Sequence, residues 1–176
     1  MLPVIAFARE ISAIVKRVGL GGQPLLSPPK RTITLAERYL ASVKDEELRR
    51  HTESRFSAGH YQDAVLEAFK YVNNYIKRRV RIPGQDGVKL MELAFSPNSP
   101  ILCLNEFYSA SQKDEQAGYM RIFAGAMQGV RNPRAHENEF DDDPERALEL
   151  LSLANHLLEK AKIAKKKRKK TAADPK

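Results

Sequence analysis

The longest regular apolar pattern in the chain lies between Tyr61 and Ile76 and has the spacing of an α-helix. Apolar residues return there at every third or fourth position, namely Tyr61, Ala64, Val65, Ala68, Phe69, Val72 and Ile76. This period places them on one helix face, which must be buried against other elements. No run in the chain alternates apolar and polar residues over any length, as a half-buried strand does. The pattern therefore predicts an all-α protein folded as a bundle of antiparallel helices.

Helix-start signals and breakers mark further elements in the N-terminal part of the chain. An amphipathic helix is expected over Pro3–Val18, followed by a linker rich in glycine and proline up to Arg31. Thr34 and Glu37 have the spacing of a capping box, in which each side chain satisfies a backbone N–H of the other residue. They predict a helix that ends near His51.

Two more helices are predicted towards the C-terminus. One starts near Ser111 and ends at Pro133, because proline lacks the backbone N–H that a helix interior uses. The other starts with Asp143 as N-cap and Pro144 in the first turn. Glycine is costly inside a helix, so three glycines in the first of these helices indicate a close approach of another backbone, at Gly118, Gly125 and Gly129.

The predicted elements form one bundle with an extension at each end. We expect residues 1–53 to be an N-terminal helical extension and linker, residues 54–161 the bundle, and residues 162–176 a disordered basic tail. The tail carries eight basic residues and one acid, so +7 of the net charge of +8 lies there. Such a tail attracts nucleic acid without sequence preference, although a tail that only improves solubility has the same composition.

Composition indicates a reducing compartment and no membrane span. The apolar start Met1–Ala8 lacks the basic leading region and the cleavage site of a secretory signal. No apolar run approaches the ~20 residues that a membrane helix needs. The single cysteine, Cys103, lies in an apolar run and is expected to be a small buried residue. We therefore expect a cytoplasmic protein without a membrane partner.

An arginine and a histidine lie five positions apart in the segment Arg131–His136. A guanidinium group suits a phosphate, and an imidazole exchanges a proton near neutral pH. RNA carries its own nucleophile, the ribose 2′-hydroxyl, whose attack on the adjacent phosphorus leaves a 2′,3′-cyclic phosphate and a 5′-hydroxyl. Arg131 suits the charge that develops on the phosphoryl oxygens, and His136 suits proton transfer, with Asn132 beside them.

This spacing also has a structural explanation. Arg131 could pair with Glu137 or Glu139, and His136 could cap a helix or lie satisfied in the core. If Arg131 ends one helix and His136 lies in the short connection to the next, both side chains face one groove between adjacent antiparallel helices.

Other residues are weaker candidates for the same groove. His60 opens the predicted helix at Tyr61, where backbone N–H groups can hold a phosphate. Glu67 and Lys70 are further candidates, although they could simply be a surface ion pair. The acidic run that ends at Asp143 lacks the glycine and glutamate spacing of a calcium loop, so we expect no metal.

The segment Arg131–His136 resembles the arginine–histidine signature of HEPN domains (higher eukaryotes and prokaryotes nucleotide-binding). A wider set of segments resembles a prokaryotic family of hypothetical proteins called Ymh, over about Arg55 to Leu158. The segments that carry this resemblance are Gly59–Lys70, Asp86–Gly87, Ala94–Ser96, Asp114–Met120 and Phe123–Ala126.

The resemblance implies a HEPN-like helical bundle and a function. Many HEPN proteins are metal-independent ribonucleases of toxin, abortive-infection and phage-defence systems, with active sites at a dimer interface. Carried over, Arg131 and His136 would be catalytic and Asn132 supporting, with Glu67 as an assisting acid and no cofactor. RNA, a second copy and an antitoxin or defence-system protein would be the partners. Because some HEPN domains cleave nothing, a non-catalytic module that binds nucleotide, RNA or protein is the alternative.

Overall fold

The computed structural model describes residues 32–136 and 142–167, and of the earlier chain only Ala13, Ile14 and Arg17, which are helical. The prediction of an all-α protein is confirmed. In chain order the described elements are α1 (Leu35–Ser42), α2 (Glu46–Ser57), α3 (Tyr61–Val80), α4 (Gly87–Phe95), β1 (Leu102–Cys103), α5 (Ala110–Ala126), a π-helical turn (Met127–Arg131), α6 (Asn132–His136), α7 (Pro144–Ile163) and β2 (Lys165–Lys166). None of the described helices is both long and apolar enough to cross a membrane.

Helix α3 lies at the centre of the bundle and packs mainly against α2 and α7. Its apolar face follows the predicted spacing, and Val65, Phe69, Val72 and Ile76 are fully buried. On the other side of the core, α4 packs on α5, where the rings of Phe95 and Phe123 stack at 4.3 Å between centroids. The period-3.6 pattern thus identified the helix around which the core is built.

The helix predicted to run from Thr34 to His51 is two helices. The capping box of Thr34 and Glu37 is confirmed, but α1 ends at Ser42 and Asp45 caps a new helix. The break between them is held by Asn155 of α7, whose side-chain oxygen accepts hydrogen bonds from the backbone N–H groups of Lys44 (2.9 Å) and Asp45 (3.0 Å). A contact so distant along the chain leaves no local sequence signal.

The compact unit begins at Thr34 and not at Ser54. Side chains before residue 54 belong to the same hydrophobic core as α3 and α7, namely Tyr39, Val43 and Leu48. Residues 34–53 are therefore part of the bundle, because α1 and α2 bury their apolar faces against it. The predicted helix Pro3–Val18 lies outside the described residues except at Ala13, Ile14 and Arg17.

The first residues of the predicted tail are part of the fold. Helix α7 continues to Ile163, and the guanidinium of Arg79 donates hydrogen bonds to the carbonyls of Ala161 and Ala164 at its C-terminal end. Lys165 and Lys166 then pair antiparallel with Cys103 and Leu102. Tail residues 168–176 lie outside the described residues.

The C-terminal helix starts were predicted with mixed success. The N-cap Asp143 and the first-turn Pro144 of α7 are confirmed. Helix α5 begins earlier than expected, because Ser109 and Gln112 form a capping box there. A Cβ added at any of the three helical glycines would meet no atom within 4 Å. The close backbone approach predicted for Gly118, Gly125 and Gly129 is thus not made within the described chain.

Gln116 holds the long connection between α4 and α5 onto the bundle. Its fully buried amide donates to the carbonyls of Phe95 (2.9 Å) and Leu102 (3.0 Å) and accepts from the N–H of Leu104 (2.9 Å). We expect Gln116→Leu to lower the free energy of unfolding by about 3 kcal/mol, because it leaves buried polar groups unpaired. Urea unfolding measures this loss. The same change at the exposed Gln128 should cost less than about 0.5 kcal/mol, and equal effects would contradict the role of Gln116.

Candidate functional site

Arg131 and His136 lie on one continuous helical segment. Helix α5, the π turn and α6 follow one another without a break, and the N–H of Asn132 bonds to the carbonyl of Met127, five residues back. The predictions that Pro133 ends a helix and that His136 lies in a loop are therefore wrong. A π turn shifts the hydrogen-bond register by one residue, and this local rearrangement lets a residue without an N–H follow. Such turns are frequent at functional sites.

This continuity determines the directions of the two side chains. Five α-helical steps turn a side chain by roughly 140° around the axis and advance it by about 7.5 Å. Arg131 is half-buried, whereas His136 is exposed. Their convergence on one phosphate stays a prediction. It requires either that the Arg131 side chain reaches around the helix or that a second copy of the chain supplies the arginine or the histidine.

Asn132 and Arg131 are brought together as expected. Nη1 of Arg131 donates to Oδ1 of Asn132 at 3.1 Å. Nε of Arg131 is buried and has no hydrogen-bond partner among the described residues. A buried unpaired donor on a charged group is costly, and an anionic ligand would accept from this nitrogen only after the side chains around it had moved.

Asp86, the N-cap of α4, is a carboxylate whose pKa is affected by the charge of Arg131. Burial alone would raise the pKa of Asp86. Hydrogen bonds from the Asn73 amide and from the N–H of Gly87 (2.9 Å), together with the positive charges of Lys77 and Arg131, outweigh burial and lower this pKa. Asn73 also accepts from the N–H of Gly87 at 3.0 Å, which ties α3 to the start of α4. The site thus contains an acid whose pKa is lowered, in the neighbourhood of Arg131.

Among the weaker candidates, Glu67 and Lys70 form an ion pair at 2.9 Å on α3. This agrees with the alternative that the two residues form an ion pair at the surface. Glu67 makes no hydrogen bond to Arg131. His60 is exposed at the start of α3, and its side chain makes no capping hydrogen bond. The acid that sequence reasoning missed is Asp86, and its only signal was an aspartate immediately before a short helical pattern.

A second missed feature is the buried ion pair of Arg134 and Asp142. Nε and Nη2 of Arg134 each donate to one oxygen of Asp142 at 2.6 Å, and Nη1 donates to the carbonyl of Val130 at 2.9 Å. The two side chains are 1% and 0% exposed. The connection between α6 and α7 is therefore closed by Arg134, whereas the sequence suggested Arg131 as the arginine that pairs with an acid. Glu137 and Glu139 lie outside the described residues.

The described part of the chain holds no group of three or more histidine, cysteine, aspartate or glutamate residues arranged to bind a metal. The acidic run after His136 lies largely in residues 137–141, outside the described residues. The chemistry available at Arg131 and His136 is therefore that of a fixed positive charge, an amide, a carboxylate and an exposed imidazole.

A family model described as "Protein of unknown function (Hypoth_ymh)" matches residues 43–161, which is more than half of the chain. The chain belongs to the Hypoth_Ymh family. The match includes the segment Arg131–His136, Asp86 and the buried pair of Arg134 and Asp142. No curated protein and no solved structure matches the chain significantly.

The proximity of Arg131 to Asp86 can be tested by titration. We expect Arg131→Met to raise the pKa of Asp86, because the positive charge that favours the carboxylate is removed. NMR titration of the Asp86 carboxyl carbon measures this pKa. The control Arg121→Met, at an exposed position of α5, should leave it unchanged. An unchanged pKa in Arg131→Met would show that the two groups do not interact.

The buried pair can be tested by unfolding. We expect Asp142→Ala to lower the free energy of unfolding by about 3–5 kcal/mol, because it removes the carboxylate that compensates the buried charge of Arg134. Replacing both partners together, as Arg134→Met with Asp142→Leu, should cost much less than the single change. The control Asp114→Ala, at an exposed position, should cost less than about 0.5 kcal/mol. A loss that small for Asp142→Ala would contradict the burial of the pair.

Proposed function

We propose that this protein is a metal-independent endoribonuclease of the HEPN type, which cleaves RNA by attack of the ribose 2′-hydroxyl. The observation that carries the proposal is the state of Arg131. Its guanidinium is half-buried, hydrogen-bonded to Asn132 and close enough to Asp86 to affect its pKa, yet its Nε has no partner among the described residues. A guanidinium that is anchored through Nη1 has further N–H donors, and these suit a phosphoryl oxygen.

The proposed role of Arg131 is to bind the scissile phosphate and to stabilise the charge that grows on it. When the 2′-oxygen attacks, the phosphorus becomes five-coordinate and its non-bridging oxygens gain negative charge. Because Asn132 orients the arginine before substrate binds, little reorganisation is needed at the moment of reaction. Asn132 is a positioning residue in this scheme, since it acts through Arg131.

The proposed role of His136 is proton transfer. The 2′-hydroxyl must lose a proton as it attacks, and the departing 5′-oxygen must gain one. One imidazole per chain can perform one of these transfers at a time, whereas two copies bring one base and one acid. His136 is exposed, and on an ideal helix its position is rotated by about 140° from that of Arg131. A homodimer in which the two segments face each other satisfies both requirements, and RNA is its substrate.

The alternative function is a non-catalytic module that binds RNA, a nucleotide or a protein. The angular separation of the two positions on an ideal helix favours this alternative. A single copy would bind a phosphate with Arg131, and His136 would not contact that phosphate. In either case a toxin or phage-defence role, with an antitoxin or defence-system partner, is a proposal that rests on the HEPN resemblance.

The two functions differ in one measurement. Purified protein is incubated with single-stranded RNA in excess EDTA, and products are separated by gel electrophoresis. The wild type is expected to leave 2′,3′-cyclic phosphate ends. Arg131→Ala and His136→Ala are each expected to lower the cleavage rate by at least about 100-fold. DNA of the same sequence should stay intact, because it lacks the 2′-hydroxyl nucleophile.

Matched controls keep the result specific. Arg121→Ala and His51→Ala change the same residue types at exposed positions and should cleave like the wild type. RNA that stays intact with the wild type but is bound by it would support the non-catalytic module. Cleavage that persists in both Arg131→Ala and His136→Ala would remove these residues from the active site.

A further inference from the structure

A cleft of about 560 Å³ lies far along the chain from Arg131. One wall is the connection between α4 and α5, and the other is β2 with the residue that follows it. The connection that lines the cleft leads into Ala110, the first residue of α5. Arg131 lies 21 residues after Ala110, on the continuous segment of α5, the π turn and α6. At about 1.5 Å per residue this corresponds to roughly 30 Å, so the cleft is a separate site within one chain.

Backbone and buried side-chain contacts hold the walls of the cleft. Lys165 and Lys166 pair with the β1 strand, and the N–H of Lys167 donates to the carbonyl of Ile101 at 2.9 Å. The buried amide of Gln116 binds the opposite wall through Leu102 and Leu104. The cleft is therefore preformed, and its volume lies in the ~300–1,000 Å³ range of small-ligand sites.

One wall of the cleft is positively charged. Lys165, Lys166 and Lys167 line it, against a single acid, Glu106, which pairs with Lys165. Neither Lys166 nor Lys167 forms an ion pair with any described residue. The sequence continues with three more basic residues, which lie outside the described residues. The excess positive charge suits a ligand that carries phosphate.

The opposite wall is mixed, with Asn98, Asn105 and Glu106 beside apolar residues that include an aromatic ring. Pro97, Pro100 and Phe107 line it. Phe107 has a left-handed backbone, with φ of 61°, and its N–H donates to Oδ1 of Asn105 at 3.1 Å. A bulky residue with positive φ is uncommon and strained, and such residues persist where the surrounding structure holds them, often at ligand sites.

We propose that this cleft binds a nucleoside phosphate, with the base against Phe107 and the phosphate on Lys166 and Lys167. Lysines beside an aromatic ring are the two elements with which proteins hold single-stranded nucleic acid, since every base has a face that stacks. An acidic peptide would use the lysines and leave the apolar residues of the opposite wall without a function. The nucleoside phosphate is either a free nucleotide or one unit of an RNA strand.

The test measures binding of a fluorescent single-stranded 2′-O-methyl RNA by anisotropy. This probe cannot be cleaved by 2′-hydroxyl attack, so binding is read separately from the activity proposed above. We expect Phe107→Leu to weaken binding about 5-fold or more, because stacking of one base contributes at least ~1 kcal/mol. Lys167→Glu should also weaken binding and reduce its dependence on salt. Phe107→Tyr, which keeps the ring, should bind like the wild type.

Two matched controls separate the cleft from general surface effects. Tyr108 is 86% exposed and does not line the cleft, so Tyr108→Leu should bind like the wild type. Lys113→Glu makes the charge change of Lys167→Glu at an exposed position of α5 and should have the smaller effect. Thermal unfolding confirms that each variant is folded. If Phe107→Leu does not fold, comparison of Lys167→Glu with Lys113→Glu decides the question.

Competition identifies the occupant. Displacement of the probe by uridine monophosphate supports a free nucleotide, and displacement only by longer strands supports RNA. Equal displacement by a poly-glutamate peptide would overturn the proposal, as would Phe107→Leu and Lys167→Glu binding like their controls. If the wild type leaves RNA intact but binds the probe through Phe107, the proposed ribonuclease function is contradicted, whereas the proposed binding function of the cleft is supported.

Discussion

The buried ion pair between Arg134 and Asp142 is the interaction on which the geometry of the candidate site depends. Arg134 lies on α6, between Arg131 at the end of the π turn and His136, and Asp142 immediately precedes the N-cap of α7. A bidentate pair that is almost completely buried has one good geometry, because every other arrangement leaves a charge without compensation. It therefore sets the orientation of α6 relative to α7, and with it the direction in which Arg131 and His136 leave the helix.

A second constraint comes from the polar contacts around Arg131. Asn73 of α3 binds both Asp86 and the N–H of Gly87, so three side chains on different elements meet beside the π turn. The pKa of Asp86 is lowered mainly by its hydrogen bonds with Asn73 and Gly87, with smaller contributions from the charges of Lys77 and Arg131. This arrangement leaves Nε of Arg131 unpaired among the described residues. The π turn and the buried pair both depart from the simplest helical packing, as functional sites often do.

The two ends of the α5 segment have different chemistry. At its C-terminal end lie a guanidinium, an amide and an imidazole, which suit reaction or tight binding at one phosphate. Near its N-terminal end lies a preformed cleft with three lysines and an aromatic ring. None of the residues that line this cleft lies on the α5 segment itself.

Local sequence signals identified those features that depend only on neighbouring residues. The helical period around Phe69, the capping box at Thr34 and the start of α7 at Asp143 were all predicted, because periodicity and capping act within one or two turns. The candidate pair Arg131 and His136 was also found by its spacing. The acids near this segment were not found, since Asp86 belongs to the start of another helix and Asp142 pairs with Arg134 across the connection that leads to α7. The break before Asp45 was not predicted either, because Asn155 of α7 holds it from a distant position in the chain. The strand at Lys165 was missed because it pairs with the distant residue Cys103.

The amino-acid sequence by itself determined that the chain is helical, where its main apolar faces lie and which residues have chemistry suited to a phosphate. Only the tertiary structure decided which carboxylate pairs with Arg134, that Pro133 is accommodated inside a helix, and that Arg131 and His136 lie on one continuous helical segment. The physical reason is distance along the chain. Hydrophobic period and helix capping are properties of adjacent residues, whereas the pairing of buried charges is selected by the packing of elements far apart in sequence.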